Sequence, residues 1–162
     1  MGVKKGGSIK LWREYFSADA MIYGIDIDKA VPTFPLDAHV KIITTSSNSK
    51  PAMERALAKL GFDVIVDDGR HTESAIKQTW DILWPRLKGT GLYIVEDWPY
   101  GLLPDSSYGC RKAREDCESL VMVLSDSSIH TSVPEEMLVI VPRGSVLYPE
   151  VAARLAASQD AR

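Results

Sequence analysis

Several signals are scarce in this sequence, and each scarcity narrows what the chain can be. Among its 162 residues there are only two cysteines, Cys110 and Cys117, too few and too close for a disulfide framework or a zinc site. No apolar run approaches the roughly 20 residues of a membrane helix. The opening MGVKKGGS lacks the apolar core of a signal peptide. We therefore expect a cytoplasmic protein that does not associate with membranes.

An excess of positive charge is also missing. The chain has 19 Lys and Arg against 22 Asp and Glu, a net charge of −3, so it lacks the basic footprint of a nucleic-acid-binding protein. Its apolar content of 45% over 162 residues suits one globular domain. We predict a single domain over 1–162, in which 150–162 form a C-terminal helix or tail.

The hydrophobic period alternates between strand-like and helix-like segments, which predicts an α/β fold with a mostly parallel sheet and helices on both faces. Five apolar runs are the candidate strands: MIYGI at 21–25, VKII at 40–43, FDVIV at 62–66, GLYIV at 91–95 and MLVIV at 137–141. The last follows VPEE, and we expect it to close the sheet as an antiparallel strand.

Between these runs the sequence predicts helices with recognisable ends. Ser8 is a candidate N-cap, Pro51 a candidate first-turn residue, and Thr72 caps a third helix that ends near a proline. A further helix is expected at about 107–124. The glycines of KGTG at 88–91 predict a turn.

Polar side chains follow each candidate strand, at the edge where open α/β sheets bind ligands. The segments are GVKKGGS, Asp26 and Asp28, TTSSNS, DDGRH, and EDW. One such segment is ordinary loop polarity, whereas five in succession indicate a site.

The glycine loop is weak evidence taken alone. Gly2, Gly6 and Gly7 let backbone approach a ligand, but a tight turn explains them equally well. Asp26, about 20 residues beyond, is placed to accept hydrogen bonds from ribose hydroxyls. That spacing is shared by NAD enzymes and methyltransferases, and the G-x-G-x-x-G fingerprint is absent.

Asp68, His71, Glu96 and Asp97 form the sharpest constellation. Carboxylates at the ends of neighbouring parallel strands repel one another unless a cation or proton neutralises them. Oxygen ligands suit Mg²⁺, Mn²⁺ or Ca²⁺, and His71 is placed to act as a general base. The alternative is that the acidic residues cap the next segment and His71 faces solvent.

Four segments, in this order and spacing, carry a family resemblance: GVKKGGSIKLWREYF, IYGIDID, FDVIVDDGRHT and LKGTGLYIVEDW. They resemble class I S-adenosylmethionine-dependent methyltransferases. The nearest branch is that of the metal-dependent macrocin and mycinamicin sugar O-methyltransferases and the cephalosporin-hydroxylase-like proteins. The resemblance covers about 1–98 and implies a Rossmann-like methyltransferase fold.

The resemblance also implies roles for individual residues. S-adenosylmethionine and Mg²⁺ (or Mn²⁺) would be the cofactors, and a sugar hydroxyl the acceptor. His71 would be the catalytic base. The cofactor-binding residues would be Gly2, Gly6, Gly7, Ser8, Asp26, Ser47, Asn48 and Asp67. The metal ligands would be Asp68, Glu96 and Asp97.

Three departures from the family pattern favour a second hypothesis. The segment 46–50 lacks the usual acidic residue for the adenine amino group, although Ser47 or Asn48 can accept instead. Arg70 replaces a common serine beside the acidic cluster, where its charge would weaken metal binding. Because the chain begins at Met1 inside the motif, we expect a truncated first strand. Either a neighbouring copy in a homo-oligomer completes the sheet there, or the sheet is locally open and cofactor affinity is lower.

The leading hypothesis is thus a Mg²⁺-assisted sugar O-methyltransferase. The alternative is a degenerate domain that binds the cofactor or a partner without catalysis. An NAD-linked oxidoreductase is a poor third, since it lacks both a phosphate-binding fingerprint and a Tyr/Lys pair.

Overall fold

The computed structural model describes residues 1–28, 35–47 and 49–97, the backbone of 119–126 and 135–142, and residues 149 and 153. Its helices are α1 (Gly7–Tyr15), α2 (Lys50–Ala56), α3 (Glu73–Leu83) and a 3₁₀ helix (Trp84–Arg86). Its strands are β1 (Ile22–Asp26), β2 (Val40–Thr44), β3 (Phe62–Asp67), β4 (Leu87–Val95), β5 (Ser119–Asp126) and β6 (Glu135–Pro142). The chain divides into two compact units, Met1–Lys59 and Leu60–Arg162.

The first unit is built on a parallel pair, β1 and β2. Val3, Ile9 and Val40 form its buried core. The N-terminal segment forms no strand within residues 1–6, but the Gly2 N–H donates to the Ile25 carbonyl at 3.0 Å. This hydrogen bond fixes the start of the chain against β1.

Helix α1 begins differently from the sequence prediction. Ser8 was expected as the N-cap, but Gly6 holds that position with a φ of 83° and no side chain caps the helix. Only glycine adopts this left-handed conformation without strain, and the Gly6 N–H closes a turn onto the Val3 carbonyl at 2.7 Å. Ser8 consequently lies inside the helix and is exposed.

The second unit contains a four-stranded sheet in the order β3-β4-β6-β5. The β3–β4 pair is parallel, whereas β6 runs antiparallel to both β4 and β5. Helix α3 buries one apolar face, including Ile76, Trp80 and Leu83. The Thr72 side chain accepts from the Ala75 N–H, which confirms the predicted cap.

Strand β4 is longer than predicted, so the turn expected at 88–91 is wrong. Phe62 pairs with Leu87 and Val64 pairs with Leu92, so β4 has extra residues within this stretch. They are accommodated as a bulge. Lys88 reaches back across it and binds the Asp63 carboxylate at 2.8 Å.

The helix expected at about 107–124 is also wrong where the structure describes that range, because 119–126 is strand β5. Its sequence, SLVMVLSD, is rich in apolar and β-branched residues that suit a sheet, and it pairs along its whole length with β6. The predicted antiparallel direction of 137–141 is confirmed in β6, but β6 does not close the sheet, because it lies between β4 and β5 and the edge strand is β5. The predicted tail at 150–162 lies outside the described residues, apart from residue 153.

Across the described part of the chain, no helix combines the length and apolarity needed to cross a membrane.

Replacing Gly91 by alanine tests the bulge. An added Cβ would lie 2.6 Å from the Asp63 carbonyl oxygen and 3.0 Å from the Lys88 carbonyl oxygen, and backbone atoms cannot move aside cheaply. We expect Gly91→Ala to lower the free energy of unfolding by about 1–3 kcal/mol in urea denaturation. Gly89→Ala is the matched control, since its Cβ would meet nothing within 4 Å. Equal stability of the two variants would contradict this packing.

Candidate functional site

The parallel register of β3 and β4 brings two acidic segments to one edge of the second unit. Asp67 is paired with Val95, and the Glu96 N–H donates to the Asp67 carbonyl at 3.0 Å. Asp68 therefore leaves β3 beside the point where Glu96 and Asp97 leave β4. The structure confirms that DDGRH meets Glu96 and Asp97 at one edge, while Trp98 of the predicted EDW segment lies outside the described residues.

Three of the predicted residues form a compact group, here called the carboxylate–histidine cluster: Asp68, His71 and Asp97. One ligand atom from each lies within 4.8 Å of the others. The His71 Nε2 atom is 3.7 Å from Asp68 Oδ1 and 3.5 Å from Asp97 Oδ2. The Glu96 carboxylate is not part of this three-atom group.

His71 is held so that one ring nitrogen faces the carboxylates. Its Nδ1 lies 3.3 Å from the Glu96 carbonyl oxygen, and since a carbonyl only accepts, Nδ1 carries the proton in this contact. The neutral ring then has its lone pair on Nε2, toward Asp68 and Asp97. An imidazole in this state can accept a proton or bind a cation.

The electrostatics of Glu96 show how crowded this edge is with negative charge. Burial, followed by the charges of Asp68 and Asp97, raises the pKa of Glu96. A divalent cation would relieve this repulsion, and the carboxylate oxygens of Asp68, Glu96 and Asp97 suit Mg²⁺ or Mn²⁺. Asp97 also has a φ of 46°, a conformation uncommon for a residue with a side chain. The donor set therefore fits the metal that the sequence predicts.

Arg70 was expected to offset the acidic charge. Its side chain is exposed, and its effect on metal binding stays a prediction. Its backbone carbonyl accepts from the Thr72 N–H at 2.6 Å, which tightens the loop before α3.

Asp67, predicted to bind the cofactor, is only 4% exposed. Its carboxylate accepts a hydrogen bond from the Thr79 hydroxyl, and burial raises its pKa. Thr79 and the neighbouring Tyr93 were missed by sequence reasoning. The available signal was a threonine within the apolar stripe of α3, between Ile76 and Leu83. The cofactor role of Asp67 stays a prediction.

The glycine loop of the first unit has an unusual backbone. Gly2 and Gly6 have φ values of 81° and 83°, and Lys4 has a φ of 48°. The loop therefore depends on two glycines and one strained lysine, so it needs a partner that holds its shape.

Asp26 is that partner. Its Oδ2 accepts the Val3 and Lys4 N–H groups at 2.8 Å and 2.9 Å, and its Oδ1 accepts the Asp28 N–H at 2.9 Å. Burial pushes the pKa of Asp26 up, but the backbone N–H donors outweigh it and lower the pKa. The carboxylate predicted for ribose binding is thus also the residue that shapes the loop.

The remaining predicted cofactor residues are less constrained. Gly7 is the first residue of α1, Ser8 is exposed and Ser47 is half-buried, while Asn48 lies outside the described residues. Sequence reasoning missed Ile27, a large apolar side chain that is 73% exposed directly after Asp26.

Comparison with characterised proteins finds related sequences. No protein-family model matches the chain. Demethylmacrocin O-methyltransferase of Streptomyces fradiae is 30% identical over 139 residues, covering 81% of this chain and 33% of that enzyme. Mycinamicin VI 2''-O-methyltransferase of Micromonospora griseorubida is 27% identical, again over 81% of this chain and 33% of that enzyme. The chain thus spans about a third of the length of these curated relatives.

Solved structures share the fold. The MycE methyltransferase of the mycinamycin biosynthetic pathway, in complex with Mg and SAH, matches with a TM-score of 0.59 and 23% identity over 85% of this chain and 40% of that one. A putative rRNA-methylase from Clostridium thermocellum has the same TM-score, 0.59, at 11% identity, covering 89% of this chain and 84% of that one. The predicted Rossmann-like α/β fold is confirmed.

Asp26→Asn tests the loop-shaping contact. Loss of the charged acceptor should lower the free energy of unfolding by about 1–3 kcal/mol near neutral pH. Because the folded-state pKa lies below the ordinary value of 3.8, this stabilisation is present above that pH and is lost as the pH falls through the folded-state pKa. Urea unfolding should therefore show the difference from wild type shrinking in strong acid.

Glu14→Gln, at an exposed carboxylate on α1, is the control and should change stability little at any pH. A loss in Asp26→Asn that persists undiminished in strong acid would contradict the assignment.

Proposed function

The chain belongs to the class I S-adenosylmethionine-dependent methyltransferases, and from that premise we propose that it transfers a methyl group to a hydroxyl of a sugar or a glycosylated small molecule. The observation that carries the proposal is the carboxylate–histidine cluster, with His71 Nε2 between Asp68 and Asp97 at 3.7 Å and 3.5 Å. The names of further relatives that match by sequence contain a rhamnosyl or an olivosyl group, an 8-demethyl-8-alpha-L-rhamnosyl tetracenomycin-C 2'-O-methyltransferase and an L-olivosyl-oleandolide 3-O-methyltransferase, which supports this acceptor class.

The first unit would hold the cofactor. Backbone N–H groups of Val3, Lys4 and Asp28 donate to Asp26, and the Ile27 N–H also lowers its pKa. A ribose hydroxyl would share the carboxylate oxygens with these donors, since a carboxylate offers about four lone-pair positions. The exposed Ile27 side chain beside it offers an apolar surface for adenine, and the glycine loop with Gly2 and Gly6 would border the methionine part.

The second unit would hold the metal and the acceptor. Asp68, Glu96 and Asp97 would bind Mg²⁺ or Mn²⁺, which when bound lowers the pKa of an acceptor hydroxyl and orients it. The MycE structure contains Mg and SAH, which supports the same pair of cofactors here. The raised pKa of Glu96 reflects the charge that such an ion would balance.

His71 would take the proton. In this scheme the acceptor oxygen forms a bond to the methyl carbon as the bond to sulfur breaks, and the hydroxyl proton passes to Nε2. The contact from Nδ1 to the Glu96 carbonyl keeps Nε2 free for that role. A sulfonium carries an already activated methyl, so orientation and proton removal are the main demands on the protein.

One observation favours a second candidate, a domain that binds the cofactor or a partner without catalysis. The segment 46–50 offers no acidic residue for the adenine amino group, which would weaken cofactor binding. Among the described strands, β1 pairs only with β2. That a neighbouring copy of the chain completes this sheet stays our prediction. A cytoplasmic location of the protein also stays a prediction.

Calorimetric titration separates the two candidates. We expect S-adenosylhomocysteine to bind the wild-type chain. We expect Mg²⁺ to bind with an affinity that Asp68→Asn lowers at least tenfold, because loss of a direct ligand should cost no less than loss of a residue that supports one. Asp63→Asn, on the strand that precedes Asp68 but bound to Lys88, is the matched control. No detectable cofactor binding would reject the enzyme, and cofactor binding without methyl transfer to any glycoside would favour the second candidate.

His71→Ala tests the base. Removal of a general base typically costs about 10²- to 10⁴-fold in turnover, so we expect kcat for methyl transfer to fall in that range while S-adenosylhomocysteine affinity is unchanged. His39→Ala, at a histidine of the first unit that lies near Asp37, serves as control. Unchanged kcat in His71→Ala would remove the proposed role.

A further inference from the structure

Each element that supplies a residue to the carboxylate–histidine cluster also supplies one buried polar residue nearby. Asp68 follows β3, which ends at Asp67; His71 precedes α3, which carries Thr79; and Asp97 follows β4, which carries Tyr93. Asp67, Thr79 and Tyr93 are 4%, 2% and 0% exposed. We infer that these three residues act as a positioning clamp that holds the cluster in its binding geometry.

The contact between Asp67 and Thr79 joins β3 to α3. The Thr79 hydroxyl donates to Asp67 Oδ2. The Thr79 hydroxyl oxygen also lies 3.1 Å from the Ala75 carbonyl oxygen and 3.0 Å from the Ile76 carbonyl oxygen. One hydroxyl proton cannot serve all three acceptors. A carboxylate is the strongest acceptor among them, so the side chain ties the helix to the strand rather than to itself.

The Asp67 carboxylate also holds the loop that follows it. The Gly69 backbone N–H donates to it, which closes a local turn of the kind that aspartate favours. Gly69 lies directly after Asp68 and two residues before His71. One buried carboxylate thus contacts both the helix and the loop that carry cluster residues.

Tyr93 completes the clamp from β4. Its ring packs against Trp80 and Trp84, with centroids 5.0 Å and 6.2 Å away. Within the described structure its buried hydroxyl has no hydrogen-bond partner, and burial, followed by the Asp67 charge, raises the pKa of Tyr93.

A buried hydroxyl without a full partner is unfavourable, and a phenylalanine at position 93 would avoid the penalty. A tyrosine here therefore calls for a compensating role. Its ring contact with Trp80 ties β4 to α3, and in this inference the hydroxyl completes that tie through the charge of Asp67, which acts on it. The same strand then places Glu96 and Asp97 a few residues later.

Metal and base sites require their side chains to be held within roughly 0.5 Å, and loss of outer-shell support typically lowers metal affinity about 10- to 100-fold. The expected effect of the clamp on metal affinity rests on the proposed metal-assisted function. Its expected effect on amide exchange in the nearby backbone does not depend on a metal, so the clamp and the proposed function can be rejected independently.

The test uses the full chain with Thr79→Val and Tyr93→Phe, which remove one hydroxyl each and preserve shape. Ile82→Val, a buried change on the same helix, is the control for general loss of stability. Two quantities are measured: Mn²⁺ affinity by electron paramagnetic resonance, and hydrogen exchange of the Gly69 and Glu96 amides in metal-free protein.

We expect Mn²⁺ affinity to fall about tenfold or more in Thr79→Val and Tyr93→Phe, and not in Ile82→Val. Gly69 and Glu96 should exchange faster only in the clamp variants. Tyr93→Phe should keep or raise the melting temperature while weakening Mn²⁺ binding, which a merely structural residue would not do.

Two results would overturn the inference. One is unchanged amide exchange in both clamp variants; the other is a Mn²⁺ affinity that follows melting temperature alike in all three variants. If wild type binds no Mn²⁺ but the clamp variants still exchange faster, the proposed metal function fails and the clamp stands.

Discussion

The parallel register between β3 and β4 is the constraint on which the proposed acceptor site depends. Because Asp67 lies opposite Val95, the residues that follow the two strands emerge side by side. A slip of one residue would displace one strand end by about 3.3 Å and reverse the faces on which side chains lie. Neither distance from His71 Nε2, 3.7 Å or 3.5 Å, would survive it. The bulge in β4 absorbs its extra residues before this point, so the register is intact where the acidic residues begin.

That register gathers groups that oppose folding. Three carboxylates share one edge, and the pKa of Glu96 is raised by burial and by its acidic neighbours. Asp97 adopts a left-handed backbone conformation, and the carboxyl group of Asp67 is buried. Unfavourable features concentrate at functional sites because the surrounding structure can hold them there. The apolar packing of Trp80, Tyr93 and Val95 beneath them supplies that support.

How far the sequence predicts this structure depends on the range over which each signal acts. Local signals succeeded: hydrophobic periodicity located β1, β2 and β3, Thr72 was recognised as a cap, and alternation of strands and helices indicated the fold. The adjacency of Asp68 and Asp97 also followed, since the carboxyl ends of parallel strands share an edge of the sheet.

Predictions failed where pairing with a distant strand overrides the local preference of a segment. The glycines at 88–91 predicted a turn, but this segment belongs to β4, which pairs with β3. The segment 119–126 was predicted as part of a helix, but it forms a strand that pairs with β6. Thr79 could be seen within an apolar stripe, but its partner on another element could not.

The first unit applies the same strategy on a smaller scale. Asp26 orders the loop that carries Gly2 and Gly6 by accepting the Val3 and Lys4 N–H groups, so the loop is shaped before any ligand arrives. Preorganisation of this kind lowers the entropy lost on binding. It also limits the carboxylate, because three backbone N–H groups donate to it and the Ile27 N–H acts on it as well, so little of its roughly fourfold acceptor capacity stays open. A ribose diol that engaged both oxygens fully would have to displace a backbone N–H. Under the proposed role of Asp26 in ribose binding, the loop and the cofactor would compete for one side chain, and the free energy needed to break its hydrogen bond to the N–H of Lys4, a residue strained at a φ of 48°, would lower cofactor affinity.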